Sequence, residues 1–262
     1  MSSAALPADG EPAEGDHSGS RDRVTASFLA AVAQEVGDAS LTPAALARAV
    51  LGVLPVDGAS LSTMVSVLRL PLGASDEVSR RAEELQSTLG EGPCLEAAET
   101  QATVVADRAG LEARWPRYAA ELTRRTPFRA VAAVPLQAPG HGVFAALDVY
   151  STGPRLSDRL DRLEVERVAT AVAALLTVCI SQIHDIDAPE AGPDWYRAAA
   201  GPRNDVWVAI GMVMATRAIR TRDALSLLRA RASVESCTLD DVATDLVQGR
   251  LHVADLAGPP LR

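Results

Sequence analysis

Residues 129–150, RAVAAVPLQAPGHGVFAALDVY, contain the pattern on which the fold prediction rests. Two apolar runs, Arg129 to Gln137 and Val143 to Tyr150, flank the segment APGHG at residues 138–142, which is dense in residues that tolerate unusual backbone angles. Strands joined by so short a turn must pair antiparallel. The stretch therefore predicts a β-hairpin and, with it, an antiparallel sheet.

The segments before this hairpin mix short strands with amphipathic helices. Strands are predicted over Gly58 to Val67 and Thr103 to Ala106, with a helix from Arg80 to Leu89 between them. An earlier helix opens at Thr42-Pro43, a capping residue followed by proline at the first helical position. The simplest assembly is an α+β domain whose helices pack on one face of the sheet.

The longest helical pattern runs from Leu160 to Ile183. Its apolar residues include a 3-4-3-4 spacing, the seam of a coiled coil, although the run is shorter than three heptads. Two interpretations stay open: a helix packed on its own sheet, and a helix that also lines a dimer interface. The seam positions are Val165, Val168, Val172, Leu175 and Cys179.

Composition divides the chain into segments. Residues 1–23 contain almost nothing to bury and are predicted to form a disordered tail. The α+β domain covers residues 24–183, and residues 184–198, which include two prolines and several acids, form a linker. Three amphipathic helical segments in residues 199–253 predict a small three-helix bundle, followed by a tail at 254–262.

Charge is distributed unevenly. The formal net charge is −9, of which residues 203–250 carry +1 and the remainder −10. This acidity disfavours a general nucleic-acid coat protein but leaves room for a local basic face on the bundle. Arg222 and Arg229, seven residues apart, nearly coincide on the second bundle helix, with Arg220 at its start. Such a face could contact phosphates, stack on unpaired bases, or simply be solvated.

Composition also excludes several kinds of chemistry. All 25 basic residues are arginine, which rules out a Schiff-base lysine and a P-loop lysine. The three cysteines and four histidines are scattered, which fits neither a disulfide framework nor a metal site and is typical of a reducing compartment. The longest apolar run, Val168 to Ile180, is too short to span a membrane. We therefore expect a cytoplasmic protein that is not an enzyme and has no cofactor or metal.

Several stretches resemble a known pair of domains. Leu85 to Ala97 (LQSTLGEGPCLEA), Thr103 to Asp107 (TVVAD) and Arg114 to Arg117 (RWPR) resemble the GAF domains of actinobacterial GAF–ANTAR regulators. Ala209 to Ala215 (AIGMVMA), with Leu239 to Ala243 (LDDVA), is similar to the ANTAR three-helix module. The resemblance covers residues 24–253.

The resemblance implies a GAF sensor that controls an RNA-binding ANTAR module. Such modules act as homodimers in transcription antitermination and bind tandem hairpins of nascent leader transcripts, whose loop bases are more accessible than the base edges of an A-form duplex. It further implies a small-molecule ligand of the GAF domain as a candidate partner, with neither a membrane nor DNA expected. The implied RNA-binding residues are Arg220, Arg222, Arg229, Arg231 and Trp207, and the implied ligand-pocket residues are Cys94 and Asp107.

Some positions of the bundle depart from the ANTAR pattern. Trp207, Val208 and Ile210 stand where polar residues are common, Ala218 where glycine is usual, and Cys237 where a basic residue is common. Trp207 could stack on a base or pack against another part of the protein. A second hypothesis is therefore a dimeric small-molecule or protein-interaction sensor whose degenerate ANTAR module no longer binds RNA. A third, a thiol redox sensor, would use Cys94 or Cys179.

Overall fold

A computed structural model of the protein describes residues 16–65, 68–138, 142–183 and 192–256. The first part, which we call the sheet domain (residues 16–183), is followed by three helices that we call the bundle. The sheet domain contains α1 (Asp16–Val36), α2 (Pro43–Leu51), β1 (Gly58–Val65), β2 (Leu68–Ala74), α3 (Glu77–Leu89), α4 (Pro93–Thr100), β3 (Val104–Ala106), α5 (Arg108–Arg114), α6 (Pro116–Arg125), β4 (Ala130–Ala138), β5 (Gly142–Ser151) and α7 (Arg162–Ile180). The bundle contains α8 (Asp194–Arg217), α9 (Thr221–Glu235) and α10 (Leu239–Val247).

The described strands form one antiparallel sheet in the order β2-β1-β5-β4-β3. The predicted hairpin is confirmed: β4 and β5 pair from Ala130 opposite Ser151 to Ala138 opposite Gly142. Residues 139–141 of its turn lie outside the described part of the chain. Because β1 adds to the free side of β5 and β3 to the free side of β4, the hairpin is the middle of the sheet.

Helices cover both faces of the sheet, so the expectation of helices on one face only is wrong. In β4, Ala130, Ala132 and Val134 belong to the core beneath α1, α2 and α7, whereas Val131 and Ala133 belong to the core beneath α3 to α6. Successive strand residues point to opposite faces. A strand covered on both sides is therefore apolar at every position, which explains the unbroken run AVAAV.

The apolar seam of α7 packs on the chain's own sheet. Val165, Val168, Val172 and Cys179 are fully buried in the core that α7 shares with α1, α2 and the sheet. Leu175 is half-buried at the edge of the same core. Four of the five seam residues are therefore occupied by the chain's own core, as the first of the two interpretations predicts, and a run under three heptads does not separate a 3.5-residue repeat from the 3.6-residue period of a single helix.

Three segment boundaries differ from the predicted ones. Residues 16–23, placed in the disordered tail, belong to α1, and residues 194–198, placed in the linker, belong to α8. Residues 1–15 and 184–191 lie outside the described chain. At the other end, Leu256 of the predicted tail is buried in the bundle core. The second and third boundaries differ because Tyr196 and Leu256 each pack in a core.

The C-terminal region is helical, as the apolar spacing predicts. The bundle core is built from one apolar face of each helix. Its buried members include Val206, Ile210 and Val213 of α8, Leu225 and Leu228 of α9, and Val242 and Leu246 of α10. The first turns of α8 are different: Tyr196 and Ala200 belong to the core of the sheet domain. One helix therefore contributes to both cores and joins them.

Ala218 ends α8 in a conformation that favours glycine. Its φ is +53° and its side chain is exposed. An L side chain in this region costs about 1–2 kcal/mol, partly offset by the greater freedom of glycine in the unfolded chain. We expect Ala218→Gly to raise the free energy of unfolding of the bundle by about 0.5–1 kcal/mol, measured by chemical denaturation. The matched control Ala215→Gly, at an exposed position inside α8, should lower it by about 1 kcal/mol. A lower stability for Ala218→Gly would contradict this account.

Candidate functional site

A cluster of buried polar side chains lies between the sheet and α3. Arg69 of β2 and Glu83 of α3 form an ion pair, Nη2 to Oε1, at 2.9 Å, and their side chains are only 3% and 1% exposed. Asp148 of β5 accepts a hydrogen bond from Gln86 Nε2 at 2.6 Å. Arg69 also donates to Ser62. The cluster thus joins three strands, β1, β2 and β5, to one face of α3.

Burial sets the charge state of this cluster. The pKa of Asp148 is raised well above its ordinary value, first by burial and then by the charge of Glu83, with Arg69 opposing. A buried charge is tolerated when it is paired, and one guanidinium stands beside two carboxyl groups here. Arg69 and Glu83 thus form the ion pair, and burial favours the neutral form of Asp148 beside it.

A small cavity opens beside Arg69. It has a volume of about 310 Å³ and lies between α4 and strands β1 and β5. Its lining is apolar apart from a few polar groups, among them Arg69 and Thr63. A cavity of this kind, with one buried cation in its wall, can hold a small molecule that carries an acceptor group.

The other face of α3 contacts the bundle. Arg229 of α9 donates from Nε to the carbonyl oxygen of Ser87 at 3.1 Å. The backbone N–H of Leu239, at the start of α10, donates to Thr88 Oγ1 at 3.1 Å. Of the polar cluster, Glu83 precedes Ser87 by one turn of α3 and Gln86 directly precedes it. Helix α3 therefore connects the buried cluster with the bundle.

Arg229 is sequestered at this contact. Burial, with the nearby Arg203 charge adding to it, lowers the pKa of Arg229 to about 10. Gly90, with φ +69°, ends α3 directly beside it, and a Cβ on Gly90 would lie 2.7 Å from Arg229 Nη1. The absence of a side chain at Gly90 leaves the space that the guanidinium occupies.

Further contacts hold the two parts together. Arg125 of α6 donates from Nη2 to the carbonyl oxygen of Ser236 at 2.9 Å, and Arg117 Nη2 lies 3.3 Å from Ser233 Oγ. Leu68, the first residue of β2, is 1% exposed and belongs to the core of the bundle rather than to either core of the sheet domain. The contact therefore combines hydrogen bonds with an apolar anchor.

The model of the GAF domain family matches residues 27–180. The chain belongs to the GAF domain family. The matched span contains all five strands of the sheet, so we now call the sheet domain the GAF domain, and the bundle lies outside the span. This confirms the GAF part of the resemblance.

The solved structures to which the chain is similar are distant in sequence. The GAF domain of a phosphoenolpyruvate-protein phosphotransferase from Coxiella burnetii is 16% identical, covers 60% of this chain and 96% of its own, and has a TM-score of 0.43. Free methionine-R-sulfoxide reductase from Neisseria meningitidis, solved with its substrate, is 16% identical, covers 64% and 95%, and has a TM-score of 0.44. The GAF domain of a sensor histidine kinase from Pseudomonas syringae is 18% identical, covers 62% and 90%, and has a TM-score of 0.36. The comparison with curated protein sequences found no match.

Two features are absent from the described part of the chain. None of its helices is long and apolar enough to cross a bilayer. It also contains no group of three His, Cys, Asp or Glu side chains placed to hold a metal ion.

The predicted pocket residues do not share a site in the GAF domain. Cys94 is fully buried in the polar cluster, where burial raises the pKa of its thiol well above the ordinary value. Asp107 instead accepts the backbone N–H groups of Leu156 and Ser157 at 2.7 and 3.0 Å, which fixes the loop before α7. Neither residue lines the cavity beside Arg69. The assignment of Asp107 to a ligand pocket is corrected accordingly, because its carboxylate is occupied by the loop.

The predicted RNA-binding residues are not presented as one surface. Arg220 is 94% exposed and Arg222 is exposed, whereas Arg229 lies under the GAF domain. Arg231 pairs with Glu235 and donates to a backbone carbonyl oxygen, and Trp207 is half-buried against the bundle core. The expected arginine face is therefore incomplete while the bundle is docked.

Sequence analysis missed Arg69 and Arg203, the two most buried arginines of the described chain. A signal for Arg69 was present, since a lone arginine interrupts the apolar strand LRLPLG at residues 68–73. A charge at such a position requires a buried partner. That partner, Glu83, lies on α3, of which the sequence pattern predicted only that it is a helix.

Proposed function

We propose that the protein is a signal-responsive regulator whose GAF domain restrains an ANTAR-type bundle, and that the released bundle binds tandem RNA hairpins in nascent transcripts to affect transcription antitermination. The observation that carries the proposal is the insertion of Arg229 beneath the end of α3. The proposal includes a homodimer and no catalytic step, no DNA and no membrane.

Masking one arginine matters because affinity for RNA depends on the number of phosphates that are neutralised together. Arg220 and Arg222 stay exposed when the bundle is docked, and Arg229 would extend their surface by two turns of α9 once it is free. Undocking would therefore convert a weak, two-arginine contact into a longer one. In a dimer, two such modules would gain effective concentration on two hairpins.

Helix α3 is the route we propose for the signal. A ligand in the cavity beside Arg69 would compete for the guanidinium that Glu83 now holds. Glu83 lies one turn before Ser87, and Gln86 lies directly before it; Ser87 and Thr88 hold Arg229 and Leu239. A small shift of α3 would thus alter both hydrogen bonds to the bundle. Packed elements transmit such shifts as a change between discrete arrangements.

Gel-shift titration with a tandem-hairpin leader RNA tests the proposal. We expect Arg220→Ala with Arg222→Ala to weaken binding and to reduce the slope of log affinity against log salt by about one unit for each lost phosphate contact. The matched control is Arg108→Ala with Arg162→Ala, two exposed arginines of the GAF domain, which should leave both quantities unchanged. Equal binding by the double variant and the unchanged protein would contradict an RNA site on this surface.

A second candidate function is a sensor without a nucleic-acid role. The half-buried position of Trp207 against the bundle core favours it, because that ring is then not free to stack on a base. The absence of any RNA shift, even from a variant with a released bundle, would support this candidate over the first.

A further inference from the structure

A large cavity lies between the GAF domain and the bundle. Its volume is about 860 Å³, and residues of β2, α3, α8 and α10 line it. It is separate from the cavity beside Arg69, with which it shares no lining residue. The wall includes Arg80 and Glu84 from the GAF domain and Trp195, Arg203 and Asp240 from the bundle.

Arg203 is the centre of this cavity's chemistry. The residue is 4% exposed, and both terminal nitrogens of its guanidinium are buried without a hydrogen-bond partner among the described residues. The nearest carboxylate oxygen, Asp240 Oδ2, lies 3.5 Å from Nη1, which is an ion pair without a good hydrogen bond. A buried guanidinium in this state lacks the acceptors that would offset its desolvation.

Asp240 has the complementary deficit. Its Oδ1 is buried and has no hydrogen-bond partner within the described chain. Burial raises the pKa of Asp240, and the Arg203 charge opposes that shift. Glu84, whose pKa burial also raises, lies in the same wall. The cavity wall thus contains a guanidinium and a carboxylate that lie 3.5 Å apart and still lack hydrogen-bond partners in the described part of the chain.

An indole in the same wall also lacks a hydrogen-bond partner within the described ranges. Trp195 Nε1 is buried and has no partner among the described residues. Its ring lines the cavity near the start of α8, while Arg203 lies two turns further along the same helix. An apolar surface therefore stands beside the charged pair.

We propose that this cavity binds a small zwitterion, a free α-amino acid or a close derivative, which holds the bundle against the GAF domain. Its carboxylate would accept from the Arg203 guanidinium, for which two parallel hydrogen bonds are the favoured geometry. Its ammonium would donate to Asp240 Oδ1, and its side chain would lie toward Trp195. The carboxylate and ammonium of an α-amino acid are about as close together as the Arg203 guanidinium and the Asp240 carboxylate that would bind them.

A ligand here would act on the docked state. The wall belongs to both parts of the chain, so a molecule that fills it binds the docked arrangement better than the released one. The docked state then gains stability in proportion to ligand occupancy. This regulatory role rests on the proposed function, whereas binding itself does not.

Thermal unfolding of the full chain, without RNA, tests the binding with the L-amino acids as probes. We expect at least one of them to raise the midpoint in a saturable way, and its carboxamide and N-acetyl forms to have no effect. Arg203→Gln and Asp240→Asn should each weaken the affinity about tenfold or more, the loss of one charge-assisted hydrogen bond. Arg231→Gln, which breaks an ion pair of the bundle away from this cavity, should leave the affinity unchanged.

The unfolding midpoint and the RNA gel shift together distinguish failure of the ligand site from failure of the proposed function. The ligand that raises the midpoint should also weaken the RNA gel shift of the unchanged protein. The proposal is overturned if no amino acid shifts the midpoint, if the carboxamide binds equally well, or if both cavity variants keep full affinity. Without any amino-acid binding, water fills the cavity. If an amino acid binds but the protein binds no RNA, the ligand site is supported and the proposed function is contradicted.

Discussion

Leu68→Asp is expected to release the bundle from the GAF domain and to strengthen binding of tandem-hairpin RNA by about tenfold or more. Leu68 is 1% exposed, and its side chain packs in the core of the bundle although it belongs to a strand of the GAF domain. A carboxylate buried there without a partner would cost several kcal/mol, so the chain avoids that cost by separating the two surfaces. Apparent affinity then rises by the factor by which the competent state becomes more populated.

Two measurements check this release. Small-angle scattering should show a larger radius of gyration for Leu68→Asp, and gel-shift titration should show the tighter RNA complex. The matched control is Leu29→Asp, since Leu29 lies on α1 of the GAF domain and is already 47% exposed. An unchanged radius and an unchanged RNA affinity in a folded Leu68→Asp protein would rule out docking as the restraint.

Arg69→Met is expected to lower the free energy of unfolding of the GAF domain by about 3–5 kcal/mol. The substitution keeps an unbranched apolar stem but removes the guanidinium, which leaves Glu83 as a buried carboxylate without its cation. Breaking one side of a buried ion pair is costly because the remaining charge is uncompensated. Asp148 supplies no positive charge in place of Arg69, because it is itself an acid whose pKa burial and the Glu83 charge raise.

Chemical denaturation measures this loss of stability, and two further variants test whether the unpaired charge causes it. Arg69→Met combined with Glu83→Gln should recover part of the stability, because no unpaired charge then stays buried. Arg80→Met, at a 47% exposed arginine that pairs with Glu77 and Glu84, should cost less than about 1 kcal/mol. If Arg69→Met cost no more than Arg80→Met, the buried cluster would have no special role in the stability of the domain.

Local pattern predicted much of the fold. The hairpin followed from residues 129–150 because a short turn leaves only one way for its strands to pair. The number of covered sheet faces did not follow, since a run of alanine and valine has no polar alternation to indicate a solvated side. The role of the α7 seam was left open for a similar reason, because four or five apolar positions fit a coiled coil and a helix on its own sheet equally well.

The candidate site was less accessible to sequence reasoning. Arg229 was found as a cation on the second bundle helix, but its partner is a backbone carbonyl oxygen of Ser87, 142 residues earlier. Every residue has such a carbonyl, so no side-chain pattern indicates this contact. Gly90 carried part of the signal, as a glycine after α3, yet the need for space beside Arg229 is visible only once the two parts are docked. The cavity around Arg203 likewise exists only between the two parts.

The central claim is that RNA binds the released bundle more tightly than the docked one, so that bound RNA favours release. Hydrogen exchange of the full chain, with and without tandem-hairpin RNA, tests it most directly, because the Leu239 amide donates to Thr88 Oγ1 across the contact. The account predicts that RNA speeds exchange at Leu239 and along the end of α3, while it slows exchange at the start of α9 beside Arg220 and Arg222. RNA that binds with the protection at Leu239 and α3 unchanged would contradict it.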